Sequence, residues 1–336
     1  MRVAIDGGPL SSGDSVRGIG VYVRELTKVI KDADIIDVKK ADLSRYDVVH
    51  FTKFNPFFVS LPFSKPDRTK FVLTIYDLIP LIYPKHYVPG IKGFLKWQVN
   101  KYLIKKNVDA IVTISETSKK DICRFLEIDP NKVFVTYLAS PAIFKRLESG
   151  NKQTSSTWKS ETAKKFNLPK QFVLYVGDIN YSKNIPNLVK ACGIVGLPLV
   201  VAGKQAAEVD KMDMKHPEHI HLRSVDWSNV VRLGFVEDSD LVKIYNLAEV
   251  YAQPSFYEGF SLPPLQAVNC KTPVVLSKNQ CHVEVFGDDF DYIDPNDPKS
   301  IADGILNPNR SKKLPRNYTW QKTALDTSEI YEKVRN

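Results

Sequence analysis

The sequence predicts an α/β protein of two doubly wound, Rossmann-like parallel-sheet domains facing a central cleft, and three observations carry that expectation. The first is length: 336 residues exceed what one ordinary core organises, while two domains of common size fit. The second is the alternation of short β-branched runs with helical stretches along the whole chain. The third is that those runs lack polar alternation, the mark of strands covered by helices on both faces. A composition of 43% hydrophobic and 25% charged residues is that of a folded globular chain and excludes a disordered one.

Taken in order, residues 3–6, 48–51, 71–75, 110–114 and 133–137 read as strands of a first sheet. Residues 172–176, 199–202, 230–235, 250–253 and 273–276 read as strands of a second. The expected units are an N-terminal Rossmann-like domain over 1–160, a C-terminal one over 161–312 and a closing segment over 313–336. That last segment has a helical pattern from Leu314 to Val334, through Trp320 and Tyr331. Ser, Thr, Lys and Gly make 147–164 an expected exposed linker and hinge. Ligands of open parallel sheets bind beyond the carboxyl ends of the strands, so the loops that follow strands are where functional residues belong.

A cytoplasmic location is expected, because no apolar run reaches the roughly 18 residues of a membrane span. Asp6 also breaks the first apolar stretch where a secretion signal needs continuity. Cys123, Cys192, Cys270 and Cys281 lack CxxC spacing, which speaks against a disulfide framework or a zinc site. Of the net charge of +9, +8 lies in residues 1–150, with 24 Lys/Arg against 16 Asp/Glu. There Lys85, Lys92, Lys96, Lys101, Lys105 and Lys106 alternate with Ile91, Phe94, Leu95, Trp97, Tyr102 and Leu103. This is the pattern of a basic amphipathic helix that either rests on an anionic membrane or covers a core. No nucleic-acid-binding motif accompanies the charge, and nucleic acid is not an expected partner. Asp238-Ser239-Asp240 looks like a metal-binding DxD, but Asp is favoured at helix starts, and capping a helix over 241–248 is the expected role. His216, His219 and His221 sit around Pro217 without a cysteine, as in a solvated loop. No metal is expected.

Three loops carry candidate chemistry. Gly7-Gly8-Pro9-Leu10 through Arg17-Gly18-Ile19-Gly20 leads into a helix, where glycines admit a phosphate to backbone N–H groups or simply serve a turn. It matches neither a P-loop nor a GxGxxG fingerprint, which argues against an NTPase or a nicotinamide enzyme. The second loop, Gly177 to Asn184 after a strand, places Lys183 just before a helix, within reach of a diphosphate or of solvent. The third runs from Pro254 to Ala267: Glu258 lies in the loop after a strand and Gln266 one turn into the next helix. A carboxylate and an amide so placed suit hydroxyl pairs, and backbone N–H groups at the helix start suit phosphate oxygens.

The span Glu258–Gln266 resembles the E-x7-E motif of the retaining family-4 (group 1) glycosyltransferases, whose fold is GT-B. Arg17-Gly18-Ile19-Gly20-Val21-Tyr22 is similar to their N-terminal glycine loop, and Thr74-Ile75-Tyr76-Asp77-Leu78-Ile79-Pro80-Leu81 to their "HDL" segment. The stretches 113–119, 175–184 and 231–236 follow the family pattern in order, so the resemblance spans nearly the whole chain. It implies a cytoplasmic enzyme of polysaccharide biosynthesis that moves a mannose- or glucose-type hexosyl group to a glycan or lipid-linked acceptor. The donor would be GDP-mannose or a UDP-hexose, with anomeric retention, no cofactor and no metal.

Carried over residue by residue, the resemblance makes Glu258, Lys183 and Asp77 catalytic, with Lys183 clamping the donor diphosphate. It places Arg17, Gly18, Gly20, Gly177, Asn184, Gly234, Phe235, Val236, Gly259, Phe260, Ser261, Leu262 and Gln266 around the donor. Tyr76 and Asp77 fall on the acceptor side, in the N-terminal domain, and the last helix is implied to cross back to that domain. Four positions depart from the family: Tyr76 for His, Ser182 for Arg, Ser261 for Gly and Gln266 for Glu. They motivate a second expectation, a non-catalytic nucleotide-sugar-binding subunit of a glycosylation complex; an epimerase or phosphorylase of the same architecture lacks the motif match.

Overall fold

The computed structural model describes residues 1–15, 18–148 and 152–336, with 152–156 by their backbone alone. Contacts divide them into two compact units, Met1–Ala139 with Asn317–Asn336, and Ser140–Arg316.

In the first unit the order is β1 (Val3–Asp6), α1 (Gly18–Val29), β2 (Ala33–Ile36), β3 (Val48–Phe51), β4 (Lys70–Thr74), α2 (Ile79–Ile82), α3 (Gly90–Asn107), β5 (Ala110–Thr113), α4 (Glu116–Leu126) and β6 (Val133–Val135). The second unit runs α5 (Lys152–Lys165), β7 (Val173–Val176), α6 (Ile185–Val195), β8 (Leu199–Ala202), α7 (Lys204–Ala207), β9 (Val230–Gly234), α8 (Asp238–Leu247), β10 (Val250–Gln253), α9 (Leu262–Asn269), β11 (Val274–Ser277), α10 (Gln280–Phe286), β12 (Tyr292–Ile293) and α11 (Pro298–Leu306). The last helix, α12 (Trp320–Arg335), returns the chain to the first unit.

The first sheet has the order β2-β1-β3-β4-β5-β6 and the second β12-β11-β10-β7-β8-β9, with every named pair parallel. The expected strands are present, with ends shifted by a residue or two, and two edge strands join them. One, β2, reads Ala-Asp-Ile-Ile and leaves Asp34 and Ile35 exposed, so it lacks the apolar run that marks its neighbours. The other, β12, is two residues long, too short for any period to register. Helix starts follow local chemistry: Ser115, Asn279, Asp297 and Thr319 each accept a backbone N–H at the ends of α4, α10, α11 and α12.

Residues 140–148 belong to the second unit because Phe144 packs edge-on against Tyr245 at 5.7 Å. Asn246 clamps the same stretch, accepting from the Leu147 N–H at 2.9 Å and donating to the Lys145 carbonyl at 3.1 Å. The exposed linker expected over 147–164 is largely helix instead: α5 packs on α8, buries Thr162 and pairs Lys165 with Asp240 at 2.6 Å. Polar composition there reflects one solvated helical face rather than an irregular chain.

The lysine-rich pattern does form a helix, α3, but its faces differ from a simple stripe over a core. Trp97, Leu103 and Ile104 are buried, while Ile91, Phe94, Leu95 and Tyr102 are exposed, Ile91 by 82%. Two buried asparagines hold the preceding loop: Asn100 Nδ2 donates to the carbonyls of Pro56 and Phe58 at 2.9 and 3.0 Å, and Asn107 Nδ2 to that of Pro62 at 2.9 Å. Phe58 and Phe63 are thereby presented outward, 64% and 69% exposed. Among the described residues no helix is long and apolar enough to cross a membrane.

Helix α12 closes the first unit through buried polar contacts. His50 Nδ1 lies 2.6 Å from the Tyr331 hydroxyl and Nε2 2.7 Å from Thr74 Oγ1, while Thr323 Oγ1 donates to the Tyr137 carbonyl at 2.6 Å. Burial pushes the His50 pKa down to about 3, so the ring folds neutral and the unfolded chain takes up its proton first. The sign follows: its contribution is present above pH 6.5 and is lost as pH falls from there toward 3. Chemical denaturation at pH 7, 6 and 5 should show the first unit losing up to ~1.4 kcal/mol per pH unit below 6.5. A profile flat over that range, followed by hydrogen exchange in α12, contradicts this account.

Candidate active site

Both sheets reverse their strand order once, between β1 and β3 in the first and between β7 and β10 in the second. At such a reversal the loops after the two central strands diverge and leave a crevice for a ligand. In the second unit those loops carry Lys183, after β7, and Glu258, after β10.

The two side chains form a bidentate ion pair, Lys183 Nζ to Glu258 Oε1 at 2.8 Å and to Oε2 at 2.7 Å. The carboxylate side chain is 6% exposed and the lysine 20%, so the pair sits at the rim of the buried interior. Burial raises the Glu258 pKa, but the adjacent Lys183 ammonium and its hydrogen bonds outweigh that and hold it below the usual carboxylate value. A second donor, Gln253 Nε2, reaches Glu258 Oε1 at 2.7 Å from the last position of β10. Gln253 is oriented by the Tyr251 hydroxyl, which donates to its Oε1. Beyond it stand Ser261, immediately before α9, and His282 in α10: Gln253 Nε2 donates to Ser261 Oγ at 3.1 Å, and Ser261 Oγ lies 3.0 Å from His282 Nε2.

Around this cluster the expected donor residues take distinct places. Gly259, Phe260, Ser261 and Leu262 lead into α9, with Phe260, Ser261 and Leu262 buried. Gln266 is buried, and its Oε1 accepts from the Tyr245 hydroxyl at 3.1 Å. Asn184 adopts a left-handed conformation, φ +58°, and its Nδ2 donates to the carbonyls of Pro254 and Pro295 at 3.0 and 2.6 Å. Its side chain therefore ties the loops after β10 and β12 to the start of α6. Gly177, φ +139°, commits its N–H to the Ala202 carbonyl at 2.9 Å. Gly234 ends β9 at φ +72°, followed by half-exposed Phe235 and buried Val236. Ser182 is buried, its Oγ without a hydrogen-bond partner among the described residues, so no charge enters from that position.

The first unit's candidates are described by themselves. Arg17 lies outside the described residues. Gly18 opens α1, and Gly20 is needed sterically: a Cβ there would stand 2.4 Å from the Ser15 carbonyl oxygen and 2.5 Å from that of Asp14. Tyr76 donates its hydroxyl to the Thr52 carbonyl at 2.9 Å and packs edge-on against Tyr22. Asp77 Oδ1 accepts from the Ile79 N–H at 3.1 Å, fixing the turn into α2. Asp6, at the end of β1, is also buried, and burial raises its pKa.

Two motifs set aside from the sequence can be placed. Asp238 and Asp240 lie within the first turn of α8, with Glu237 as the preceding residue, so they charge the helix start rather than cap it. His219 Nδ1 lies 3.2 Å from the Asp213 carbonyl oxygen and His221 Nε2 3.0 Å from that of Ile179; His221 is partly buried, not a freely solvated loop residue. Among the described residues no three or more His, Cys, Asp or Glu side chains gather in a metal-binding group. Sequence reasoning passed over Gln253 and His282. Gln253 had a signal, a lone polar residue at the carboxyl end of an apolar parallel strand; His282 had only the Asn279-x-x-His282 spacing of a helix cap.

Two family models match the chain, Glycosyl transferases group 1 over residues 156–322 and Glycosyltransferase Family 4 over residues 22–139. The serotype-specific mannosyltransferase WbdA of Escherichia coli is 28% identical over 267 residues, 76% of this chain and 31% of WbdA. The O-antigen chain mannosyltransferase B of Escherichia coli is 28% identical over 242 residues, 70% of this chain and 60% of that protein. The chain thus spans less than two thirds of the length of these relatives. Among solved structures, Anabaena Alr3699/HepE in complex with UDP-glucose superposes with a TM-score of 0.64 at 13% identity, covering 99% of this chain and 94% of that one. The fold is the two-domain α/β GT-B fold.

Removing one partner of a buried ion pair leaves the other uncompensated, a larger loss than removing both. Lys183→Met should therefore destabilise the second unit by ~2–3 kcal/mol, and Lys183→Met with Glu258→Gln by clearly less. Urea denaturation of the four proteins measures the coupling, and additive losses refute it. Because the Glu258 pKa is lowered in the fold, this stability is present above pH 4.5 and is lost as pH falls below it.

Proposed function

This chain belongs to the group 1 and family 4 glycosyltransferases, and on that premise we propose that it is a metal-independent, retaining hexosyltransferase. Its donor is GDP-mannose or a UDP-hexose, and its acceptor a glycan or a lipid-linked glycan. The observation that carries this reading is the Lys183–Glu258 pair at the strand-order reversal, beside the amino end of α9. A donor diphosphate offers the Lys183 ammonium a second anionic partner. As Lys183 shifts toward it, Gln253 still holds Glu258 Oε1 and Oε2 is released to face the sugar. The N–H groups of Ser261 and Leu262 add the positive end of α9 to the phosphates. Ammonium and helix end together stabilise the nucleoside diphosphate as it leaves, which is the service a metal ion would otherwise perform. Gln266, its carbonyl engaged by Tyr245, offers amide N–H groups to ribose oxygens. Asp77 and Tyr76 serve the acceptor side, and the mannosyltransferase relatives favour mannose as the sugar.

A second reading, a nucleotide-sugar-binding subunit without turnover, is favoured by the uncharged, buried Ser182 and by the engaged carbonyl of Gln266. Thermal shift with GDP-mannose, UDP-glucose and ADP-glucose separates the two. One nucleotide sugar at about 100 times its Kd should stabilise the protein by ~2.7 kcal/mol, unchanged by EDTA and lost in Lys183→Met. Glu258→Gln should keep that stabilisation and lose at least ~100-fold in sugar transfer. Full donor binding with no transfer to any glycan supports the subunit; no binding by any donor removes both readings.

The exposed face of α3 suits a lipid-linked acceptor. Ile91, Phe94 and Leu95 stand among Lys92 and Lys96, Lys96 covers the Phe58 ring at 5.1 Å, and α3 contains no acidic residue. We read this as peripheral contact with an anionic membrane, apolar side chains entering the interface and lysines facing headgroups. Sedimentation with phosphatidylglycerol vesicles should show binding that weakens with salt and falls about tenfold in Phe94→Ser with Leu95→Ser. Binding equal on neutral vesicles, or unaffected by the substitutions, removes the contact.

A further inference from the structure

Ser261 holds a backbone conformation that glycine adopts freely and serine does not, φ +73° and ψ +66°, immediately before α9. What holds it there is a directed chain of hydrogen bonds. His282 Nδ1 lies 2.9 Å from the Ser277 carbonyl oxygen, which only accepts, while Asn279 Nδ2, 3.1 Å from the same nitrogen, has the Ser255 carbonyl at 3.1 Å and Ser277 Oγ at 3.2 Å for its protons, so Nδ1 carries the proton and Nε2 is an acceptor. The Ser261 hydroxyl, 3.0 Å away, donates to that Nε2 and accepts from Gln253 Nε2 at 3.1 Å. The same Gln253 Nε2 donates to Glu258 Oε1 at 2.7 Å. His282 is itself wholly buried, and Asn279 secures it from behind by accepting its backbone N–H at 2.8 Å.

We propose that His282 is a positioning residue of the donor site, holding Ser261 in the left-handed turn that starts α9. The proposal rests on the donor site described above. It accounts for how this chain carries Ser261 where a glycine is expected: the clamp replaces the conformational freedom that glycine has by nature. The consequence is an inversion of the usual order of conservative substitutions. Ser261→Ala keeps the Cβ and loses the clamp, whereas Ser261→Gly loses both the clamp and the need for it.

Two readouts test this on the full chain. Titration calorimetry with UDP, GDP and ADP should show Ser261→Ala and His282→Ala each weakening the bound nucleotide about tenfold. Ser261→Gly, alone or combined with His282→Ala, should bind at least about threefold more tightly than Ser261→Ala. Amide exchange in 259–265 follows the same order without any ligand: faster in Ser261→Ala and His282→Ala, and near wild type in the two glycine proteins. Should His282→Ala misfold, the Ser261→Ala and Ser261→Gly pair decides alone, since both changes are small. The proposal is overturned when alanine and glycine at 261 behave alike, or when glycine fails to rescue His282→Ala. Failure of wild type to bind any of the three nucleotides instead overturns the donor site, and the exchange order still decides the clamp.

Discussion

A carboxylate taken out of water needs compensating charge and hydrogen bonds, and in the second unit this requirement at Glu258 organises everything around it. Lys183 supplies the charge, and Gln253 supplies a fixed N–H from the end of a central strand. Gln253 lies only five residues before Glu258, whereas Lys183 is 75 residues away in sequence, and the strand-order reversal of a parallel sheet brings the loops after β7 and β10 side by side. The topology of a doubly wound sheet thus sets where this ion pair can form. The lysine stays the more exposed partner, so the pair can open toward solvent without exposing the core. An anion arriving there meets a cation already held in position and a helix end behind it.

Much of this was legible in the sequence, and the parts that were share a physical cause. Central parallel strands are buried on both faces, so their apolar runs announce themselves, and the strands around Val49, Leu73, Val200 and Ala252 stand where those runs are. Lys183 and Glu258 were singled out because they lie in loops that follow apolar strands, and their roles came from the family resemblance rather than from spacing. Edge strands β2 and β12 were not, since one is half solvated and the other two residues long. Composition misled over 147–164: a helix with a broad polar face and a linker draw on the same residues, and only the packing of α5 on α8 separates them. His282 escaped because a buried side chain's role depends on which distant groups need a partner, which no local spacing encodes, whereas Gln253 had the signal of a polar residue ending an apolar strand.

Several candidate positions prove to hold the scaffold rather than to face a ligand through their side chains. Asn184 ties two loops to a helix start, and Gly20 is required by carbonyls that would collide with any side chain. Such residues leave the same trace in a motif as those that touch substrate, because a displaced loop costs a site as much as a missing group. The distinction lies in where the hydrogen bonds go. Asn184 spends both amide protons on backbone carbonyls, whereas Lys183 spends its own on a carboxylate that another anion can replace.

The bond between His50 and Tyr331 joins residues 281 apart in sequence, with the entire second unit strung between them. During synthesis the first sheet therefore emerges long before the helix that completes its core. The second unit, continuous from Ser140 to Arg316, can finish folding while the first still exposes Tyr22, Thr74 and the buried face that α12 will cover. A nascent chain of this design offers chaperones an unfinished sheet for the time taken to translate some hundred and eighty residues, on the order of ten seconds or more at common elongation rates. Maturation of the first unit is in this sense timed by the emergence of α12.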